Sequence, residues 1–532
     1  YSYRVPLQRF PRRLEIWTAG GVLARIVDRI PLQEGVPIAF GAVPTGARSA
    51  LWRADHPAAL VWTEATDGGD PAVPAEIRDR VRLLEAPFEG DPLDLISVAW
   101  RVDGVLWGAS DLALVSESWP KTKRTRTWIV NPSDPVAGAV LLWDRSSQDR
   151  YGDPGRPVTR PTPHGTRRLV LAGRSSILLA GDGASPEGDR PFLDRLDLAT
   201  GASKRLWRSE PPVHERPIEV LTDDARRVLV SRESVADPPN YHVRDLESGD
   251  LEAVTAFPHP YPDLIGATRR LLTYLREDGL PLSATLHLPP GWKDGDRPLP
   301  VLVWAYPVEF KDAAAAGQVS DSPHRFPRIG PGSPLYWLAH GYAVLDDPKM
   351  PIVGEGEVEP NDTYVPQLVS SAKAAVDEVV RLGVADRDRL AIGGHSYGAF
   401  MTANLLARSD LFRAGVARSG AYNRTLTPFG FQGEDRTLWQ ASETYIRMSP
   451  FLLAPEVDEP LLLVHGEADD NSGTFPMQSE RFYAALAGEG ATVRLVLLPH
   501  EGHGYQARES VMHVLWETTE WLDRYVRDAS PR

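Results

Sequence analysis

The alternation of apolar and polar positions divides the chain into two parts. From residue 1 to about residue 262, Trp, Val and Leu alternate with polar residues, and turns of Asp, Gly and Pro separate the short runs. A period of two predicts half-buried β-strands. From residue 263 onward, apolar strand-like runs alternate with stretches of helical period. That order predicts a mostly parallel sheet covered by helices.

The boundary between the two parts is predicted at a proline-rich segment. Residues 257–262 read Phe-Pro-His-Pro-Tyr-Pro, which suits an extended linker. We therefore expect one domain at residues 1–262 and a second at residues 263–532. Asn361 or Asp362 is expected to cap the first long helix of the second domain.

Two short patterns recur in the first domain at a common interval. Residues 51–55 (Leu-Trp-Arg-Ala-Asp) return 48 positions later as residues 99–103 (Ala-Trp-Arg-Val-Asp). Residues 197–201 (Asp-Leu-Ala-Thr-Gly) return at the same interval as Asp-Leu-Glu-Ser-Gly. A shared period of this length predicts the blades of a β-propeller, roughly five in 260 residues.

The second domain is organised around residues 388–401. An apolar strand there leads into Gly-Gly-His-Ser-Tyr-Gly, and helical periodicity follows. Gly394, Ser396 and Gly398 match the nucleophile elbow of α/β-hydrolases, a turn too tight for side chains on either flank. Ser396 is therefore the candidate nucleophile, at the start of a helix where negative charge is favoured.

A nucleophilic serine needs a base and a carboxylate that orients the base. Residues 460–464 form an apolar strand that runs into His-Gly-Glu-Ala-Asp-Asp-Asn, and residues 493–498 form another that runs into Pro-His-Glu-Gly-His-Gly. The residues alone leave two candidates for each role. The acid is either Asp469 or Asp470, and the base is either His500 or His503.

Three motifs together resemble the catalytic motifs of the prolyl oligopeptidase family: residues 393–398, 465–471 and 502–504. This resemblance implies a β-propeller joined to an α/β-hydrolase domain, with Asp469 as the acid and His503 as the base. It leaves Asp470 and His500 as loop residues. It also implies that His395 and His465 brace the turns.

Longer stretches narrow the resemblance to the glutamyl endopeptidase branch, which is found in chloroplasts and in bacteria. These stretches are residues 3–17, 417–432 and 512–517. The resemblance implies cleavage of peptides after glutamate, with aspartate as a second choice. Because family members usually have more blades, the propeller is expected to be incomplete on its N-terminal side.

The resemblance also implies where the oxyanion donors and the specificity pocket lie. The backbone N–H of Tyr397 is one expected donor. Relatives have a tyrosine as the second donor, but here Trp304 takes its place and Tyr306 follows two residues later, so either could serve. For a glutamate side chain, Arg424 falls on the pocket wall and Arg418 lies nearby.

A buried carboxylate needs a compensating cation, and arginine can supply one with two hydrogen bonds. We therefore expect Arg424, and next Arg418, to bind the substrate. Alternatively, structural carboxylates such as Glu434 or Asp435 hold both arginines, since ion-pair networks imitate sites. The acidic loop at residues 354–359 would repel an acidic substrate if it faced the pocket.

Bulk properties exclude several other functions. The net charge of −14 disfavours nucleic-acid binding, and no apolar run is long enough for a membrane span. The absence of cysteine excludes disulfides and thiol catalysis. No metal-ligand spacing or phosphate-binding glycine loop is present, so we expect no metal and no cofactor.

The basic run at residues 121–128 is interpreted as a solvated or ion-paired strand face, or secondarily as a substrate-attracting patch.

Other functions remain as alternatives. One is an acylaminoacyl- or dipeptidyl-peptidase of the same family, although the paired glutamates that read a free amine are missing. A carboxylesterase or lipase has no use for a propeller, and a non-catalytic propeller module does not need the triad pattern. Peptides are the expected partners. The sequence does not decide whether the protein forms a homo-oligomer. It also leaves the compartment unknown. The options for a soluble protein are the bacterial cytoplasm, the periplasm and, in a plant, the plastid stroma.

Overall fold

The computed structural model describes residues 9–173, 175–222 and 224–530. Residues 3–8 of the stretch resembling glutamyl endopeptidases therefore lie outside the described residues. The described part of the first domain contains a two-stranded sheet, four antiparallel sheets of four strands each and a small hairpin. Its strands are β1 (Arg12–Trp17), β2 (Leu23–Ile30), β3 (Arg48–Trp52), β4 (Ala59–Ala65), β5 (Asp79–Glu85), β6 (Leu93–Val98), β7 (Arg101–Ala109), β8 (Leu112–Trp119), β9 (Arg124–Val130), β10 (Val140–Ser146), β11 (Arg156–Pro157), β12 (Thr159–Pro161), β13 (Arg167–Leu169), β14 (Ser176–Gly181), β15 (Phe192–Asp197), β16 (Ser203–Arg208), β17 (His214–Val220), β18 (Arg227–Glu233), β19 (Asn240–Asp245) and β20 (Leu251–Ala253).

The four-stranded sheets are the blades of a β-propeller, as the repeat predicted. They comprise β3–β6, β7–β10, β11 with β14–β16, and β17–β20. The first repeated pattern lies at the first strand of two successive blades. The sequence predicted roughly five blades, but the described residues form four. β1 and β2 pair only with each other and do not complete a further four-stranded blade.

The second repeated pattern is the turn between the third and fourth strands of the last two blades. Asp197 accepts hydrogen bonds from the amides of the second and third residues after it, and Asp245 does the same. Gly201 and Gly249 then take φ values of 71° and 80°, which glycine adopts without strain. The spacing of Asp and Gly therefore has a local cause.

The second domain is built on an eight-stranded mixed sheet with helices on both faces. In chain order its elements are β21 (Thr268–Leu275), β22 (Pro281–Leu288), β23 (Leu299–Trp304), β24 (Pro307–Phe310), α1 (Ala313–Ala316), β25 (Ala343–Asp346), β26 (Met350–Val353), α2 (Tyr364–Arg381), β27 (Ala385–His395), α3 (Tyr397–Leu406), β28 (Ala414–Arg418), α4 (Ser442–Met448), β29 (Leu461–Gly466), α5 (Met477–Gly488), β30 (Val493–Leu498) and α6 (Arg508–Leu522). Short 3-10 helices cover Pro135–Ala137, Pro262–Leu264, Pro334–His340, Pro360–Thr363, Arg424–Leu426 and Pro450–Glu456, and a π-helical turn covers Asp523–Arg527.

The strand order of the large sheet is β21-β22-β25-β23-β27-β28-β29-β30. β21 and β22 pair as an antiparallel hairpin, and the six strands from β25 to β30 in that order are mutually parallel. The mostly parallel sheet of an α/β-hydrolase is therefore confirmed. β24 and β26 form a separate parallel pair beside it.

Two apolar layers cover the sheet. Strand residues alternate between them: Val301 and Val303 face one layer and Leu302 faces the other. Helices α2, α3 and α5 contribute to the first layer, and α6 contributes Trp521 to the second. This alternation explains why each central strand reads as a continuous apolar run.

Two details concern the predicted boundary and the predicted cap. The residues around 262 lie between β20 and β21, where the described chain has only a 3-10 turn, and we propose this segment as the domain boundary. The predicted cap is wrong, since α2 has no side-chain cap. Asp362 instead accepts hydrogen bonds from Arg436 at 2.8 Å and Thr444 at 2.7 Å.

Candidate active site

The three predicted triad residues follow the ends of three parallel strands. Ser396 follows β27, Asp469 comes just after β29, and His503 comes after β30. Because these strands run in the same direction, their carboxyl ends meet at one edge of the sheet. The fold thus brings together residues that are far apart in the sequence.

The turn at Ser396 is strained, and its glycines are sterically required. Ser396 has φ 58° and ψ −114°, an unfavourable region for a residue with a side chain. A Cβ on Gly394 would lie 2.5 Å from the carbonyl carbon of Gly398, and a Cβ on Gly398 would lie 2.5 Å from the oxygen of Ala305. The elbow predicted from the Gly-x-Ser-x-Gly spacing is therefore present.

Asp469 and His503 form a hydrogen-bonded pair that is buried on the Asp469 side. The Nδ1 of His503 lies 2.8 Å from the Oδ2 of Asp469, whose side chain is fully buried. The other oxygen of Asp469 accepts a bond from the amide of Asn471 at 2.9 Å. With Nδ1 held by the carboxylate, Nε2 is the nitrogen left to exchange a proton. The ring of His503 packs against that of His395, with centroids 4.7 Å apart, so it lies next to the elbow.

The other candidates for acid and base have different surroundings. Asp470 is exposed, whereas Asp469 contacts His503. His500 has φ 63°, a left-handed turn position. His465 is buried: its Nε2 donates to the carbonyl of Thr474 at 2.6 Å, and its Nδ1 accepts from the hydroxyl of Ser479 at 2.6 Å.

Both of the other histidines at the site are held neutral. Burial lowers the pKa of His465, although its hydrogen bond to Thr474 opposes this. Burial, and next the neighbouring His503, lower the pKa of His395 to about 4. Neutral side chains that pack beside the triad fit the bracing role that the resemblance implied for them.

The structure separates the two candidates for the second oxyanion donor. The hydroxyl of Tyr306 lies near the side chains of Ser396 and Gln432, and burial raises the pKa of Tyr306. Trp304 instead packs its ring against Gly393, with the guanidinium of Arg418 4.7 Å from the ring centroid. The position therefore favours Tyr306 as a donor and does not favour Trp304.

Tyr397 is the first residue of α3. The amide groups of the first helical turn have no acceptor within the helix. The N–H of Tyr397, directly after the nucleophile, is thus free of an intrahelical bond. Its ring lies 5.8 Å from that of Tyr306, so the two residues that carry the candidate donors are neighbours.

Arg424 lies in an aromatic cage behind the nucleophile. Its guanidinium carbon is 5.2, 4.1 and 4.4 Å from the ring centroids of Tyr397, Phe400 and Phe431. The side chain is buried, and burial lowers its pKa. Within the described residues, Arg424 makes no ion pair, and its Nε has no hydrogen-bond partner.

The structural carboxylates weighed as partners of the arginines do not bind them. Glu434 pairs with Arg436 at 2.8 Å. Arg418 lies between the rings of Trp304 and Trp337, and its Nη1 donates to the carbonyl of Gly332 at 3.2 Å. Burial lowers the pKa of Arg418 to about 10. Arg418 is therefore part of the packing on the far layer, and the structure favours Arg424 for a substrate carboxylate.

Some charges of the basic run and of the acidic loop have ion-pair partners. Arg124 and Arg126 pair with Asp144 across β9 and β10, which agrees with an ion-paired strand face. In the acidic loop, Glu359 pairs with Lys311 at 2.9 Å.

Sequence reasoning missed the polar groups that support the site. Thr474 contacts His503 at 3.2 Å, Gln432 lies near Tyr306, and Ser479 is hydrogen-bonded to His465. Glu309 accepts a hydrogen bond from the hydroxyl of Tyr397 at 2.7 Å. None of them belongs to a motif with a known spacing.

Within the described ranges, no group of His, Asp and Glu residues is arranged to bind a metal, and no helix is long and apolar enough to cross a membrane.

Comparison with known proteins places this geometry in a family. Residues 367–529 match the prolyl oligopeptidase family. A rice protein (Oryza sativa subsp. japonica) named "Probable glutamyl endopeptidase, chloroplastic" is 50% identical across 100% of this chain. An Arabidopsis thaliana protein of the same name is 49% identical across 99% of it. The chain belongs to the prolyl oligopeptidase family.

The chain spans 58% of the length of the rice relative and 56% of that of the Arabidopsis relative. Among solved structures, a puromycin-hydrolyzing peptidase of Mycobacterium tuberculosis aligns with 97% of this chain and 79% of its own, with a TM-score of 0.62 and 18% identity. At that identity the likeness supports the fold alone. It agrees with a propeller and an α/β-hydrolase domain in one member of the prolyl oligopeptidase family.

Proposed function

We propose that this chain is part of a serine peptidase that cleaves oligopeptides or unstructured segments after glutamate, and less well after aspartate. The observation that carries the proposal is a buried arginine without an ion pair, Arg424, stacked on Tyr397 directly behind the candidate nucleophile. A neighbouring Asp–His pair supplies the proton chemistry. The names of the rice and Arabidopsis relatives support the same activity and the plastid as one compartment.

The proposed reaction passes through an acyl-enzyme. Ser396 attacks the peptide carbonyl, and the Nε2 of His503 takes the serine proton and then gives it to the leaving amine. Water then enters, His503 takes a proton from it, and the water oxygen attacks the acyl carbonyl. The bond to the Ser396 oxygen breaks, and His503 returns the proton to that oxygen as the acid product leaves. Asp469 holds His503 in the required tautomer and stabilises the imidazolium that forms in each half-reaction.

The negative charge on the carbonyl oxygen is assigned to two donors. The N–H of Tyr397 points along the start of α3, where the helix dipole also favours negative charge. The hydroxyl of Tyr306 contacts Ser396 and supplies the second hydrogen bond. Donors that are already oriented before charge develops lower the barrier without reorganisation.

Arg424 is assigned the role of binding the side chain of P1, which is the substrate residue whose carbonyl is attacked. A carboxylate that reaches the aromatic cage gains a charge-assisted pair with a cation that is already desolvated. A neutral P1 side chain does not gain this pair, so the pocket discriminates by charge. The rings of Phe400 and Phe431 keep the guanidinium in place.

The proposal is tested by digesting a peptide library and identifying the cleaved bonds by mass spectrometry. We expect cleavage after glutamate, with less after aspartate, by the wild-type chain. The Ser396→Ala variant should give no cleavage, because it lacks the nucleophile but keeps the fold.

Three other outcomes are informative. Cleavage without acidic preference would retain the serine peptidase and reject the role of Arg424. Release of dipeptides or of acylated residues from peptide ends would favour an exopeptidase of the same family. Cleavage that survives in Ser396→Ala would contradict the proposed nucleophile.

A further inference from the structure

Glu309 is a buried carboxyl group beside the candidate pocket that the proposed mechanism does not use. It lies in β24 and is 7% exposed. Its Oε1 accepts a hydrogen bond from the hydroxyl of Tyr397 at 2.7 Å. A Cβ on Gly433 would lie 2.7 Å from the Glu309 side chain, so the neighbouring loop confines the carboxyl group. Among the described residues, no cation lies within ion-pair distance of it.

The second domain presents mostly uncharged groups to Glu309. Around it are the phenols of Tyr397 on α3, Tyr364 on α2 and Tyr306 before β24, together with the guanidinium of Arg424. Glu309 and Arg424 interact electrostatically without forming a direct ion pair. The same ring of Tyr397 contacts both of them.

The propeller presents charged groups to Glu309 across a small cavity. This cavity has a volume of about 60 Å³ and lies between the two domains. Its charged lining residues are Lys121, Lys123, Glu309, Lys311, Glu359 and Asp435. Lys311 and Glu359 neutralise each other. Burial raises the pKa of Glu309, and the hydrogen bond from Tyr397, and further Lys123, act against it.

We propose that Glu309 is a specificity-determining residue, and that the pocket accepts an acidic P1 side chain only while Glu309 is protonated. This inference rests on the proposed function and deepens it. Arg424 is the one cation assigned to the pocket, and two carboxylates would have to share it. When two carboxylates share one buried site, one of them strongly prefers to keep its proton.

The sign of the resulting pH dependence follows from this competition. Below its pKa, Glu309 is neutral, and Arg424 is available to the P1 carboxylate. Above its pKa, the ionised Glu309 attracts Arg424 and repels the P1 carboxylate. A neutral P1 glutamine is not repelled. The preference for glutamate over glutamine should therefore fall as the pH rises through the pKa of Glu309.

The test compares kcat/KM for two peptides that differ only in glutamate or glutamine at P1. Both are measured from about pH 6 to about pH 9, where the P1 carboxylate stays ionised. Any effect of pH on the catalytic step itself acts on both peptides equally and cancels in the ratio. In the wild type we expect the ratio to fall as the pH rises through the pKa of Glu309, which burial raises above the ordinary glutamate value. A coupling of about one pKa unit corresponds to a fall of about tenfold.

Two variants locate the titrating group. Glu309→Gln should make the ratio independent of pH, because the amide cannot ionise. Glu359→Gln is the matched control, since Glu359 lines the same cavity but is paired with Lys311, and it should keep the wild-type slope. Glu309→Asp retains an ionisable group and should keep a slope with a shifted midpoint, which guards against misfolding of the glutamine variant.

Several results would overturn the inference. A wild-type ratio that does not change with pH would do so without any variant. A wild-type slope that persists in Glu309→Gln would assign the titration to another group. Equal loss of both peptides in that variant, with the pH dependence of the ratio unchanged, would leave Glu309 only the support of Tyr397. Absence of cleavage after glutamate in the wild type would instead be a failure of the proposed function.

Discussion

At the scale of single residues, two aromatic side chains two positions apart have opposite surroundings. The Trp304 indole is packed against Gly393 and Arg418, whereas the Tyr306 hydroxyl contacts Ser396. The strand β23 ends between them, so one side chain stays with the sheet and the other reaches the elbow. The chain thus places a phenol beside the candidate nucleophile, although a tryptophan occupies the position expected for it.

A pair of substitutions tests this assignment. Tyr306→Phe removes the hydroxyl and keeps the ring, so we expect kcat to fall by roughly 10²- to 10³-fold with little change in KM. Trp304→Phe removes the indole N–H but keeps a ring for Arg418, and it should leave kcat close to wild type. Steady-state kinetics of both variants decide the matter. A larger loss of kcat in Trp304→Phe would transfer the oxyanion role to Trp304.

The residues of the site differ in how far the sequence predicts them. Ser396 is predictable from its elbow, whereas the strand-end motifs alone leave two candidates each for the acid and the base. The resemblance to the family selects Asp469 and His503. Arg424 and Arg418 are not separable by sequence, since only packing shows that Arg418 is held between two indoles. No sequence pattern singles out Glu309, because its importance depends on neighbouring side chains that lie on other elements of the fold.

At the scale of elements, the central strands are predictable and the short ones are not. A buried parallel strand needs apolar residues on both faces, so β23 and β29 read as nearly continuous apolar runs. β24 and β26 are four residues each and contain Pro307 and Pro351. Proline within a short run argues against a strand. These two segments nevertheless pair as strands outside the main sheet, and β24 carries Glu309.

In the propeller, the sequence predicts the repeating unit better than it predicts the number of blades. The interval of 48 residues predicts the blade because its turns reuse the same Asp and Gly positions. The number of blades was overestimated, since residue 9 to residue 47 form only β1, β2 and loops among the described residues. A repeat therefore identifies the unit, whereas the number of units depends on which strands find partners.

At the scale of the whole molecule, the propeller holds the strand that forms the pocket wall. Gln148 donates to the carbonyl of Glu309 at 2.7 Å and accepts from the amide of Lys311 at 3.0 Å. A second contact joins Arg328 of the second domain to the buried Glu233 of the propeller at 2.7 Å. Two widely separated contacts fix the orientation of one domain on the other.

The ion pair at Glu233 predicts a pH-dependent contribution to stability. Burial opposes ionisation of Glu233, but hydrogen bonds from His214 and Arg328 outweigh it and lower its pKa. A lowered carboxyl pKa stabilises the fold above the unfolded value and loses this effect as the pH falls through the folded value. Glu233→Gln should therefore lower the Tm near pH 7, with a difference from wild type that shrinks below about pH 4.

The measurement is thermal unfolding of wild type and Glu233→Gln between about pH 3 and pH 8. The control is Glu252→Gln, since Glu252 pairs with Arg227 on the exposed surface, where such pairs contribute little. It should leave the Tm unchanged. A difference for Glu233→Gln that stays constant across the pH range would refute the linkage to Glu233.

The central claim is that Arg424 selects an acidic P1 residue for the Ser396 nucleophile. Its most direct test is the ratio of kcat/KM for peptides with glutamate or glutamine at P1, measured in wild type and in Arg424→Leu. Losing one partner of a buried charge pair costs about 2 kcal/mol or more, so the ratio should fall by roughly 30-fold or more. Arg447→Leu, which removes an exposed arginine of α4, should leave the ratio unchanged. An unaltered preference for glutamate in Arg424→Leu would contradict the account.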